Sequence, residues 1–136
     1  MAEDTSGSQR RFASIDVALE RGPILVCSAR GYITQDVQRA AFVRIDQALA
    51  EAAGLRVRLL WDSTGIDGFE PGLPMALTRF LLARIVRFDR AALVARHPMV
   101  VAVGRAAMRM IPPFPYTVCA DRDEAMTFLN AHERAA

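Results

Sequence analysis

Between residues 12 and 19 apolar positions alternate with Ser14, Asp16 and Glu20, the period-two pattern of a half-exposed strand. Arg21-Gly22-Pro23 reads as a turn, and residues 24–29 form a second, more continuous apolar run. So short a connection predicts an antiparallel hairpin. Gly31-Tyr32-Ile33-Thr34 then leads into a helix with Thr34 as N-cap, where Val37, Ala40, Ala41, Ile45, Ala48, Leu49 and Ala52 recur at helical spacing. Gly54 closes that helix. Val57, Leu59, Leu60 and Trp61 make a strand apolar on both faces, and at Asp62 the composition switches to Asp, Ser, Gly and Pro, which predicts a loop to about Gly72.

Pro74 opens a second predicted helix. Leu77, Leu81, Leu82, Ile85, Val86 and Phe88 supply its apolar half, and Arg79, Arg84 and Arg87 the opposite arc, with Phe80 among the arginines. Residues 90–95 are a third core strand. Residues 99–110 predict a helix with Pro98 at its first position, although Val100, Val101 and Val103 would also suit a strand. Residues 111–115 form a proline-stiffened connector, residues 116–120 a last strand, and Asp121 with Glu124 a capping box for a final helix carrying Ala125, Phe128 and Leu129 inward. The order β β α β α β α β α predicts one α/β domain over residues 12–132, with a polar, frayed tail at 1–11. Its sheet is mixed, with an N-terminal antiparallel hairpin followed by βα repeats, about five strands and four helices in all.

Composition narrows the function classes. Of 136 residues, 52% are apolar, enough for a packed core. Apolar runs break well before the ~20 residues of a membrane span, and the first twenty residues contain no signal-like stretch, so the expectation is a cytoplasmic protein. A net charge of +2 is too mild to imply nucleic acid. All seventeen basic residues are Arg, so neither a Schiff-base lysine nor a phosphate-loop lysine is available. Cys27 and Cys119 stand far apart and far from both histidines, so no metal-ligand spacing is present and no cofactor is implied. Cys27 with His97 as nucleophile and base lacks any third orienting residue. No base, nucleophile or metal set converges, which predicts a binding module rather than an enzyme.

The chain resembles the SpoIIAA-like group related to STAS domains, the anti-sigma-factor antagonists. The resemblance covers about residues 12–132. It is carried by the hairpin, Gly31-Tyr32-Ile33-Thr34, Leu59-Leu60-Trp61-Asp62 followed by Gly65 and Phe69, Arg90-Ala91-Ala92-Leu93-Val94, and the closing Asp123-Glu124-Ala125-Met126-Thr127-Phe128-Leu129. It implies a mixed-sheet βα fold and a regulatory, protein-binding role. In phosphorylatable members the acceptor serine opens the helix after the central strand's loop. Here that position falls near Glu70 to Gly72, with no hydroxyl, and Asp62-Ser63-Thr64-Gly65 follows the strand directly. The likeness of this fold to CRAL-TRIO lipid-binding folds implies a hydrophobic ligand as the alternative.

Ligand binding in open α/β sheets gathers beyond the carboxyl ends of the strands. The candidate ligand- or partner-binding loop is therefore Asp62, Ser63, Thr64, Gly65, Ile66, Phe69 and Leu73, with Asp62 as a turn former whose carboxylate accepts backbone N–H groups. Phe80, Arg79 and Arg84 have interface composition and suit a protein partner or a homodimer. Leu77, Leu81, Met99 and Met108 are the candidate walls of an apolar pocket for a small hydrophobic molecule between the second helix and the sheet.

Overall fold

The computed structural model describes residues 13–111 and 113–135, with side chains described as far as Ala131. The expected N-terminal tail and Phe12 lie outside the described residues. The elements are β1 (Ser14–Glu20), β2 (Ile24–Ile33), α1 (Gln35–Glu51), β3 (Val57–Phe69), α2 (Leu73–Leu82), a 3₁₀ turn (Ile85–Arg87), β4 (Phe88–Val94), α3 (Pro98–Arg109), β5 (Tyr116–Cys119) and α4 (Arg122–Ala135). They form a single α/β domain with a five-stranded mixed sheet in the order β1-β2-β3-β4-β5. Among the described strands only β1 runs antiparallel, pairing with β2 from Ser14↔Arg30 to Glu20↔Ile24, and every later pair is parallel.

Strand order equals chain order, so right-handed crossovers place α1, α2 and α3 on one face of the sheet. Leu25, Cys27, Val57, Leu59, Trp61 and Ala91 point to that face. Ile24, Val26, Leu60, Ala92 and Val94 point to the other, where α4 covers them with Ala125 and Leu129. Both faces of the central strands are thus covered, which is why β3 and β4 read as nearly continuous apolar runs.

Local signals set the helix ends. Thr34 Oγ1 accepts the Val37 N–H at 3.4 Å, and the chain leaves α1 through Gly54 at φ +83°. His97 caps α3, its Nδ1 accepting the Met99 N–H at 3.1 Å, with Pro98 in the first turn, so residues 99–104 are helical. Asp121 Oδ1 accepts the Glu124 N–H at 2.9 Å at the head of α4. Arg58, only 4% exposed, ties the hairpin turn to α4: its guanidinium donates to Gly22 O at 2.7 Å and to Leu129 O and Asn130 Oδ1, each at 3.1 Å. A Cβ on Gly22 would lie 2.5 Å from Arg58 Nη2, so the turn needs glycine there.

Two expectations are corrected. The loop from Asp62 is strand: β3 continues to Phe69 because β2 continues to Ile33 beside it, pairing Arg30↔Gly65, Gly31↔Ile66, Tyr32↔Gly68 and Ile33↔Phe69. Register shifts at Ser28/Arg30 and Gly31/Tyr32 mark two bulges, and the Ser, Thr, Gly and Asp residues that imitate a loop serve those irregularities. The second helix also ends earlier than its apolar stripe suggests. Its last turn tightens into i→i+3 bonds, and Phe88, 1% exposed, starts β4, while Val86 is 76% exposed.

Candidate functional site

Asp62 lies in β3 on the α4 side of the sheet, and its two oxygens have separate duties. Oδ1 accepts the Thr64 N–H at 2.9 Å and the Thr64 hydroxyl at 2.6 Å. Oδ2 accepts from Arg122 Nε at 2.7 Å, and Arg122 Nη2 reaches Ser28 Oγ at 2.6 Å. The carboxylate therefore fixes the first bulge and joins β2 and β3 to the head of α4. Burial pushes the Asp62 carboxyl up, but the Thr64 hydroxyl and amide and the Arg122 guanidinium outweigh it and hold the group below its ordinary value.

One residue on, Ser63 shares the opposite face of β3 with Leu59 and Trp61, as strand alternation requires. That face looks onto a cavity of about 130 Å³, partly open to solvent, between the sheet and helices α2 and α3. From the expected loop, Ser63, Ile66, Phe69 and Leu73 line it; from the expected pocket, Leu77, Leu81 and Met108 do. The two candidate sites are thus one. Thr64 and Gly65 are exposed at the strand surface and do not line it, and Leu73 is the first residue of α2 rather than of a loop.

Met99 is a correction: it is 63% exposed and stands outside the cavity. The α3 wall is instead Val100, Val103, Gly104, Ala107 and Met108. Their i, i+3, i+4, i+7, i+8 spacing was the signal to follow, and Met99 is one residue out of phase with it. Gly104 brings α3 close to β4, since a Cβ there would sit 2.1 Å from Leu93 Cδ2. Gln38, from the first turns of α1, and Thr78 also line the cavity, buried at 5% and 4% exposure. Gln38 Nε2 donates to Leu73 O at 3.3 Å and the Thr78 hydroxyl to Pro74 O at 2.8 Å. Neither had a sequence signal, because a buried polar residue on a helix looks like any other until its neighbours are known.

The arginine face of α2 is also corrected. Phe80 is not an exposed aromatic. It stacks on Phe42 of α1 with centroids 4.0 Å apart and planes 9° apart, and the Arg84 guanidinium covers its other side at 3.6 Å. Arg84 in turn makes a two-point contact with Asp46, Nη2 to Oδ2 at 2.9 Å, while Arg87 donates to Leu49 O and Leu55 O. These groups fasten α2 and the following turn to α1; Arg79 is exposed. Cys27 is fully buried, with burial pushing its thiol up to about 12, and His97 is an exposed helix cap, so the two form no nucleophile–base pair. Among the described residues no cluster of His, Cys, Asp or Glu could hold a metal ion, and no helix is long and apolar enough to cross a membrane.

An α/β domain with three helices on one face of a sequentially ordered sheet, a fourth on the other and a cavity under two of the three defines a recognisable architecture. Its fold is SpoIIAA-like. No protein-family model and no curated protein sequence matches the chain. Among solved structures it is similar to an uncharacterized protein of the DUF3478 family with a SpoIIAA-like fold from Shewanella loihica PV-4, at 21% identity and a TM-score of 0.69 over 87% of this chain and 95% of that one. It is also similar to the anti-sigma factor antagonist SpoIIAA in its unphosphorylated form, at 14% identity and a TM-score of 0.60 over 90% of this chain and the whole of that one.

Proposed function

We propose that this chain is a non-enzymatic binding module that holds a small apolar ligand between α2, α3 and the sheet. The observation that carries this reading is the cavity itself. An apolar protein cavity of about 150 Å³ takes up benzene, and the space here, about 130 Å³, is of that order. The ligand is therefore about one ring or a short branched chain in size, and any longer tail would extend through the open side. A well-formed apolar pocket with few polar groups is the usual form of a small-molecule site.

Native mass spectrometry of the freshly purified chain, followed by solvent extraction, tests this together with a benzene titration. A stoichiometric added mass lost on denaturation, or a melting temperature that rises with benzene, is the expected result. Neither an added mass nor any effect of saturating benzene would remove the ligand reading.

The likeness to an anti-sigma factor antagonist favours a second reading, a STAS-type module that binds a protein partner or itself. It would work without phosphorylation at the family's position: Glu70 to Gly72 carry no hydroxyl, and Glu70 Oε1 accepts the Gln35 N–H at 2.7 Å at the head of α1. A discrete dimer in native spectra with no added mass favours this reading.

A further inference from the structure

The polar atoms of the cavity specify more than its volume does. Ser63 is 6% exposed and lines the cavity on the side of Leu59 and Trp61, and its hydroxyl is not among the buried side-chain atoms left without a partner, so the partly open cavity is its route to water. Gln38 uses its amide nitrogen on Leu73 O, which leaves Oε1 as an acceptor, and the Thr78 hydroxyl, having donated to Pro74 O, can still accept. No charged side chain lines the cavity among the described residues. A ligand seated in the cavity would cover the Ser63 hydroxyl, and a hydroxyl removed from water without a partner costs free energy, so a ligand that pairs with it is favoured over one that cannot.

Resting on the reading of this cavity as a ligand site, we infer that it is built for a neutral ligand that carries one hydroxyl or amide group on a ring-sized apolar body, with Ser63 as the residue that recognises that group. The lining supplies both donors and acceptors, which a hydroxyl satisfies in both directions. A carboxylate would meet acceptors it cannot pair with and no counter-charge, and an ammonium group would meet no carboxylate. A purely apolar cavity favours benzene over phenol, because the phenol hydroxyl would be buried unpaired; a cavity with a matched polar group reverses this order.

The test titrates the full chain with benzene, phenol and benzoate at neutral pH, following chemical shifts and melting temperature, in the native chain and in Ser63→Ala. Phenol should bind the native chain at least as tightly as benzene, and benzoate more weakly than either. Ser63→Ala should weaken phenol about tenfold relative to benzene, the scale of one lost buried hydrogen bond. Benzene binding with phenol excluded, benzoate binding as well as phenol, or phenol affinity unchanged relative to benzene in Ser63→Ala would overturn the inference and leave the cavity reading intact. Failure of both benzene and phenol to bind the native chain would overturn the cavity reading itself. The comparison of ligands on the native chain needs no variant to fold.

Discussion

Helix α1 and the pair α2–α3 cover the same face of one sheet, but they do so in different ways. α1 buries Gln38, Ala41, Ile45, Ala48 and Leu49 along its length. α2 buries only Leu73 and Thr78, and α3 buries no residue at all, although its inward stripe is apolar. Alanines between larger side chains seat α1 directly on β1 and β2. The stripe of α3 is composed of valine, glycine, alanine and one methionine, too little volume to fill the space above Trp61 and Leu93, and the cavity is the remainder. Close packing holds the fold on one side and is relaxed on the other, where a site needs room.

The contrast predicts unequal losses from similar truncations. Ile45→Ala, at a position with no exposure, should cost about 3–4 kcal/mol in denaturant unfolding, combining lost transfer energy with a new cavity. Leu77→Ala, which already borders open space, should cost only about 1 kcal/mol. Equal losses would mean that the two sides are packed alike. Between them stands the Phe42–Phe80–Arg84 stack. Phe80→Ala should cost about 2 kcal/mol, from lost burial and ring stacking. Because that ring is covered by α1 and Arg84, Phe80→Glu should reduce stability and leave the sedimentation coefficient of the folded protein unchanged; a change in oligomeric state would return Phe80 to an interface.

The same contrast explains how much could be read from the sequence. Alternation in β1, the nearly unbroken apolar runs of β2, β3 and β4 and the helical stripes locate these elements, because burial on one face or on both is written into residue order. Thr34, Pro98 and Asp121 mark helix starts for equally local reasons. The outer half of β3 was hidden because its bulges use Ser, Gly and Asp, residues that signal loops when no partner strand is in view. Pairing with the extension of β2 overrides that signal, and the signal itself is local. Phe80 was misplaced because a helical wheel extended past Leu82 rotates its phase onto residues that are no longer helical. The cavity's apolar walls at Leu77, Leu81 and Met108 were foreseeable from helix faces; its polar residues, Gln38, Ser63, Thr78 and Thr117, meet only in three dimensions.

Asp62 belongs to neither side, since it pins the bulge from the opposite face of the sheet. Asp62→Asn should lower stability by about 1.5 kcal/mol at pH 7, the scale of a lost charge-assisted hydrogen bond. The carboxyl is held below its ordinary value in the folded chain, so its contribution is complete above the unfolded value of about 4 and is lost as the pH falls below it. The stability gap between the native chain and Asp62→Asn should therefore be constant from pH 7 to about 5 and narrow below pH 4. A gap that widens on acidification would mean that Asp62 stabilises the fold in its protonated form.

The smallest stability effect, and the sharpest test of the α2–α3 side, is expected at Gly104. A Cβ there would sit 2.1 Å from Leu93 Cδ2, so Gly104→Ala forces the Leu93 side chain to turn. Leu93 lines the cavity, and the space available to it is the ligand's space. Alanine should favour the helix by about 1 kcal/mol over glycine, and a displaced leucine rotamer should cost about 0.5–1.5 kcal/mol. The two nearly cancel, so the melting temperature should hardly move. Benzene affinity should nevertheless fall at least about tenfold, since a methyl and a turned isobutyl group would occupy a volume hardly larger than the ligand. Such a separation of stability from binding is what a cavity maintained by one glycine predicts. Retained benzene affinity would place the ligand away from the α3–β4 contact and towards Ile66 and Phe69.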